Sequence, residues 1–148
     1  MNAEDWMQKT NALQLQISEC ASGENEDAYW VSLFFSSPDT DHDVLHIECG
    51  RIFDPYPGFQ GPFIERHGQG EGDYELAHSI VVSADLVVVM FTALGIKELS
   101  FPPELRFELP VELKGARDFL RTLQLMSETP NGAFFRVSHD SNITKQTT

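Results

Sequence analysis

Residues 79–91, Ser-Ile-Val-Val-Ser-Ala-Asp-Leu-Val-Val-Val-Met-Phe, set two runs of β-branched and aromatic side chains on either side of a Ser-Ala-Asp break. That pattern predicts two antiparallel strands joined by a tight connection. In the second run both alternating sets are apolar, Leu86, Val88 and Met90 against Val87, Val89 and Phe91. A strand of this kind is covered on both faces, or pressed on one and sheltered on the other, so it belongs in the middle of a sheet. It is too short to cross a bilayer, which takes about 20 apolar residues.

The rest of the chain is read against that hairpin. Residues 1–10 read as a loose arm. Leu13, Leu15 and Ile17 alternate with glutamines, the signature of a strand with one wet face. A turn is expected over 21–27, then a strand over 29–35, a second acidic loop over 37–43 and a strand over 44–49. From 50 to 73 three prolines and a run of glycines predict a long loop, which in a compact domain is often functional. Leu105-Arg106-Phe107-Glu108-Leu109 alternates again, and Pro110 stops the ladder. Beyond it Leu113, Ala116, Leu120 and Leu123, with Phe119 and Met126, share one side of a helix expected over 111–126. Residues 133–137 suit one more strand, and 139–148 read as a frayed tail. Strands followed by one late helix describe an α+β domain, a mainly antiparallel sheet with a helix from the C-terminal half on one face. At 148 residues one domain is expected.

Charge narrows the partners. Asp and Glu number 23 against 10 Lys and Arg, a net charge of −13. This disfavours direct binding to nucleic acid or to an anionic membrane surface, since both need basic patches. Cys20 and Cys49 have no metal or redox spacing, which points to two reduced, buried thiols. The acidic opening, Met1-Asn2-Ala3-Glu4-Asp5-Trp6, lacks the basic and apolar regions of a secretion signal, so the expected location is the cytoplasm.

Motifs that resemble chemistry fail on their details. Asp39-Thr40-Asp41-His42-Asp43 opens like a calcium loop, but Val44 stands where glycine is required and Gly50 where the bidentate Glu should be. His46-Ile47-Glu48 has no P-C-x-x-C to complete a zinc deaminase motif; on a strand the two side chains point the same way and form a local pair. Gly68 to Gly72 lacks the lysine of a phosphate loop. On the late helix Lys114, Arg117 and Arg121 form a stripe that reads as internal charge balance. No catalytic residue, cofactor or metal site is expected.

Acidic side chains gather at three breaks: Glu24, Glu26 and Asp27; Asp39, Asp41 and Asp43; Glu71, Asp73 and Glu75. In a meander, successive loops alternate between the two ends of the sheet, which would bring the first and third groups together opposite the second; the favoured alternative is plain solubility, since acidic residues in loops need no partner.

Over residues 44–123 the chain resembles the small acidic α+β immunity proteins of bacterial polymorphic-toxin and contact-dependent inhibition systems. The features concerned are the strand 44–49, the Gly-rich break, the Ser-Ala-Asp-Leu connection at 83–86, and Leu105-Arg106-Phe107-Glu108-Leu109 leading into the helix. Residues 54–62 and the tail beyond Ser127 have no counterpart in it. The resemblance implies a non-enzymatic cytoplasmic inhibitor that binds a cognate protein toxin, commonly a nuclease with a basic cleft, and protects the producing cell. Asp39, Asp41, Asp43, Glu71, Asp73 and Glu75 would then steer the encounter, with Tyr56 and Phe59 as aromatic anchors. Two alternatives stand beside it: an acidic mimic of nucleic acid that inhibits a DNA- or RNA-binding protein, and a small-ligand binder or enzyme with a site near His46, His67 and His78.

Overall fold

A computed structural model describes residues 15–38, 40–52, 61–67 and 71–138. The chain is α+β, mostly antiparallel strand, with two α-helices among the described residues. Strands β1 (Gln16–Glu24), β2 (Ala28–Ser37), β3 (Thr40–Gly50), β4 (Pro62–Arg66) and β5 (Glu71–Asp73) form a five-stranded meander in chain order. Strands β6 (Ala77–Ser83), β7 (Leu86–Phe91), β8 (Glu104–Glu108) and β9 (Phe135–Ser138) form a second sheet in the order β8-β7-β6-β9. Helix α1 (Ala93–Leu99) joins β7 to β8, and helix α2 (Ala116–Ser127) precedes a 3-10 turn (Gly132–Phe134) and β9. None of the described helices is long and apolar enough to cross a membrane.

Alternation builds one continuous core between the sheets. Val31, Leu33 and Phe35 of β2 lie across from Ile47, Leu45 and Asp43 of β3, and Ile47 lies across from Ile64 of β4. The second sheet adds Ile80, Val82, Val87, Val89, Phe91, Leu105 and Phe107. The apolar run anticipated at the centre of a sheet is β7, between β6 and β8: Val87 and Val89 are fully buried while Leu86, Val88 and Met90 are half-buried. Helix α2 buries Ala116, Phe119, Leu123 and Met126 at helical spacing and packs on β1, β2, β6 and β9, so it closes both sheets together.

Asp43 and Arg66 sit inside this core, 3% and 2% exposed. The Arg66 guanidinium donates from Nε to Asp43 Oδ2 at 2.8 Å and from Nη1 to the carbonyls of Leu99 (2.8 Å) and Ser100 (3.1 Å). It also lies over the Phe101 ring, 4.1 Å from its centroid. One charged side chain thereby ties the first sheet to the end of α1 and satisfies carbonyls that the helix leaves open.

Several expectations change. The first strand was expected to end at Ile17, but β1 continues to Glu24 after a bulge between Ile17 and Glu19 that turns Cys20 inward. The turn shrinks to Asn25, Glu26 and Asp27, where Asn25 Oδ1 accepts the N–H groups of Asp27 and Ala28. The acidic loop 37–43 is largely strand, because β3 begins at Thr40. The loop expected over 50–73 contains β4 and β5. Helix α2 starts at Ala116 and not at Val111: residues 110–115 make successive turns, and Gly115 enters the helix at φ 87. The single expected sheet is two, and β9 pairs with β6 in parallel.

Candidate functional site

The face of the five-stranded sheet that points away from the core holds the most distinctive group of side chains. Cross-strand register arranges it in rows: Glu19, Phe34 and Val44; Ala21, Ser32, His46, Glu65 and Gly72; Gly23, Trp30, Glu48 and Phe63. Both helices reach this sheet from the core side, α1 through Arg66 and the backbone ahead of α2 through Cys20, whose thiol donates to the Lys114 carbonyl. Trp30, Phe34, Val44 and Phe63 are half-buried on the opposite surface. Arg66 is the only Lys or Arg in the five strands, and it points inward. The face therefore carries Glu19, Glu48 and Glu65, and among the described residues no Lys or Arg pairs with any of the three.

Two glycines let the aromatic rings lie down. A Cβ on Gly23 would stand 2.7 Å from the Trp30 ring, and one on Gly72 would stand 2.8 Å from the Phe63 ring. Trp30 thus leans over β1 and Phe63 over β5, toward opposite edges. Phe63 is further fixed by an edge-on contact with Tyr74, centroids 5.3 Å apart.

Between the rings runs a hydrogen-bonded chain. His46 Nε2 is 3.2 Å from Glu48 Oε1, and His46 Nδ1 is 2.8 Å from Ser32 Oγ. A carboxylate only accepts, so Nε2 carries the proton. In the neutral ring Nδ1 is then an acceptor, and the Ser32 hydroxyl donates to it. Trp30 stacks on the imidazole at 6.0 Å and 25°. Hydroxyl, imidazole and carboxylate are also the parts of a nucleophilic triad, but their setting here differs. Ser32 is 7% exposed on a strand paired on both sides, with Ala21 on one and His46 on the other. The ladder uses the amides around it, which leaves no pair of N–H groups to hold an oxyanion. The chain fixes the direction of the Glu48 carboxylate.

The candidate residues read from the sequence are dispersed. Asp39, Tyr56 and Phe59 lie outside the described residues. Asp41 is exposed near the start of β3. Asp43, expected on the surface, is instead buried against Arg66, because its place in β3 points it into the core. Glu71 and Asp73 flank Gly72 in β5. Asp73 Oδ1 accepts the Tyr74 N–H at 2.7 Å, and Glu75 sits at φ 58 with its carbonyl accepting the Thr92 hydroxyl. The third acidic group does not meet the first: Glu71, register-paired with Arg66 and through it with Leu45, lies at mid-sheet, Asp73 lies level with Ile64 and Ile47, and β5 is the edge strand opposite β1, while Asp41 marks one end of the sheet. Glu24 stands at the other end, 3.9 Å from Arg51.

The chain matches no family model, no curated protein and no solved structure. Of the three histidines grouped in the sequence, His46 lies mid-sheet, His67 is exposed just past β4, and His78 is exposed on the second sheet. Among the described residues, no three His, Cys, Asp or Glu side chains converge as metal ligands would. Burial pushes the thiols of Cys20 and Cys49 up from their ordinary value, partly offset at Cys49 by a hydrogen bond with Thr129.

The outward face escaped the sequence reading because one of its strands did. Trp30, Ser32 and Phe34 were legible on one side of β2, as was His46 beside Glu48. Phe63 and Glu65 alternate with Ile64 and Arg66, but the surrounding prolines and glycines obscured that short period-two signal.

Proposed function

We propose that this protein is a non-enzymatic immunity protein that binds a cognate protein toxin in the cytoplasm of the producing cell and blocks it. The supporting observation is the outward sheet face, where half-buried Trp30, Phe34 and Phe63 alternate with Glu19, Glu48 and Glu65, unopposed by any Lys or Arg of the sheet. Aromatic anchors ringed by polar groups are how protein interfaces concentrate affinity. Uncompensated carboxylates suit a basic surface, such as the cleft of a nuclease, and the net charge of −13 strengthens the attraction. The rings break up the carboxylates, an arrangement better matched to a protein surface than to imitation of a phosphate backbone.

The test is binding and rescue with the toxin encoded beside the gene. Cells expressing that toxin survive when this protein is present, and calorimetry gives a one-to-one complex. Trp30→Ala weakens the complex by roughly thirtyfold or more, while its circular dichroism and melting remain cooperative. A protein that neither binds the toxin nor restores growth defeats the reading.

A further inference from the structure

We propose that the row Trp30, Glu48, Phe63 is an arginine-reading subsite, taking a guanidinium from the partner onto the Glu48 carboxylate with an aromatic ring of the row against its face. This rests on the reading that the outward face docks a protein, and it specifies the chemistry of one row of that face. Register places Glu48 directly opposite Trp30 on one side and Phe63 on the other. Side chains so paired begin about 5 Å apart. Because Trp30 tilts over Gly23 and Phe63 toward Gly72, the carboxylate between them remains open: the Glu48 side chain is 46% exposed even with Oε1 engaged by His46.

A guanidinium fits this arrangement and an ammonium does not. Its planar fork bonds a carboxylate with two parallel N–H groups while its weakly hydrated faces rest on aromatic rings. A lysine head is a strongly hydrated point charge that meets the carboxylate at one place and gains less from the rings. The buried Ser32 hydroxyl holds His46, and His46 Nε2–H holds Glu48 Oε1, so the carboxylate is oriented before the partner arrives. Glu65, across from His46 on β4, supplies a second negative charge beside the row. Inside this same fold, Arg66 already shows the combination, with Asp43 on its edge and the Phe101 ring on its face.

The experiment titrates the full chain, labelled with nitrogen-15, with acetyl-Arg-Arg-Arg-amide and separately with acetyl-Lys-Lys-Lys-amide at low salt. The arginine peptide is expected to shift the Trp30 indole N–H and the Glu48 and Phe63 amides, and to bind at least about fivefold more tightly than the lysine peptide. Glu48→Gln keeps the carboxamide shape, and an unchanged amide spectrum elsewhere verifies its fold. It should weaken the arginine peptide about tenfold and remove the preference over lysine. Glu104→Gln, at a half-buried glutamate paired with Arg106 on the other sheet, should leave both affinities unchanged. Equal binding of the two peptides, or shifts confined to the acidic turns, overturns the assignment. If the toxin binds Glu48→Gln as it binds the parent but fails to bind Trp30→Ala, the arginine subsite falls and the docking face stands. If arginine-selective shifts appear at the row in a protein that binds no toxin, the subsite stands and the immunity reading falls.

Discussion

Asp43 and Arg66 are charges carried into an apolar core, and their effect on stability depends on removing one or both. Taking away only Arg66 removes the guanidinium from Asp43, 3% exposed, and from the Leu99 and Ser100 carbonyls. Arg66→Met should therefore cost about 3–5 kcal/mol in urea unfolding, the range for a broken buried pair. The double variant Asp43→Leu, Arg66→Met should recover a large part of that loss, since both members of the buried pair are replaced by apolar groups. Two equally unstable variants would show that the carbonyl contacts outweigh the charge pairing. The buried thiols make a second prediction. Burial raises both, so in alkali the unfolded chain loses its thiol protons before the folded one. The folded state then binds more protons, and stability falls as pH rises from about 8.5, the ordinary thiol value. The urea midpoint of the parent should drop more between pH 7.5 and 10 than that of Cys20→Ala, Cys49→Ala.

Among the elements, the β6–β7 hairpin is set by its sequence and strained at its tip. Ser83 pairs with Leu86, and the turn between them puts Ala84 at φ 57, where a Cβ is disfavoured by about 1–2 kcal/mol. Ala84→Gly removes that penalty while adding freedom to the unfolded chain, so a net gain of about 0.5 kcal/mol is expected in chemical denaturation. A loss would mean the Ala84 methyl packs usefully. This hairpin was legible because its apolar runs are long and its break is short. Helix α2 was legible because Phe119, Leu123 and Met126 keep a helical period, although its first turn was misplaced: Leu113 continues the period while Gly115 ends the preceding turn. Strand β5, Glu71-Gly72-Asp73, has no intrinsic preference for extended structure and exists because β4 offers it an edge. Helix α1 was hidden by its length, seven residues fixed by the Thr92 cap and by Arg66 at its far end. What stayed invisible was long-range: which charged residues tertiary contacts draw inward, as with Asp43, and which strands bring Trp30, Glu48 and Phe63 into one row.

At the scale of the molecule, 13 excess negative charges act together, and their reach is set by salt. At about 0.01 M ionic strength the field extends about 30 Å, so an approaching basic surface feels the whole protein. At 0.15 M the reach is about 8 Å, and it feels only the nearest carboxylates. The same charges repel one another in the folded chain, so added salt should raise the melting temperature modestly even as it slows association. The two rates of complex formation should separate accordingly. On the proposed reading, association with a basic toxin is steered by the field and should slow roughly tenfold or more between 20 and 300 mM salt. Dissociation from such a partner would depend on the aromatic rings of the row and should change little. Stopped-flow mixing measures both. Glu24→Gln, register-paired with Tyr29 on the opposite face of the sheet from the row and beside Arg51, should lower only the association rate, whereas Phe63→Ala should raise only the dissociation rate. If salt acts instead on dissociation, or if Phe63→Ala slows association as much as Glu24→Gln, then charge and aromatic surface are not divided between steering and holding, and the outward face is not where the partner rests.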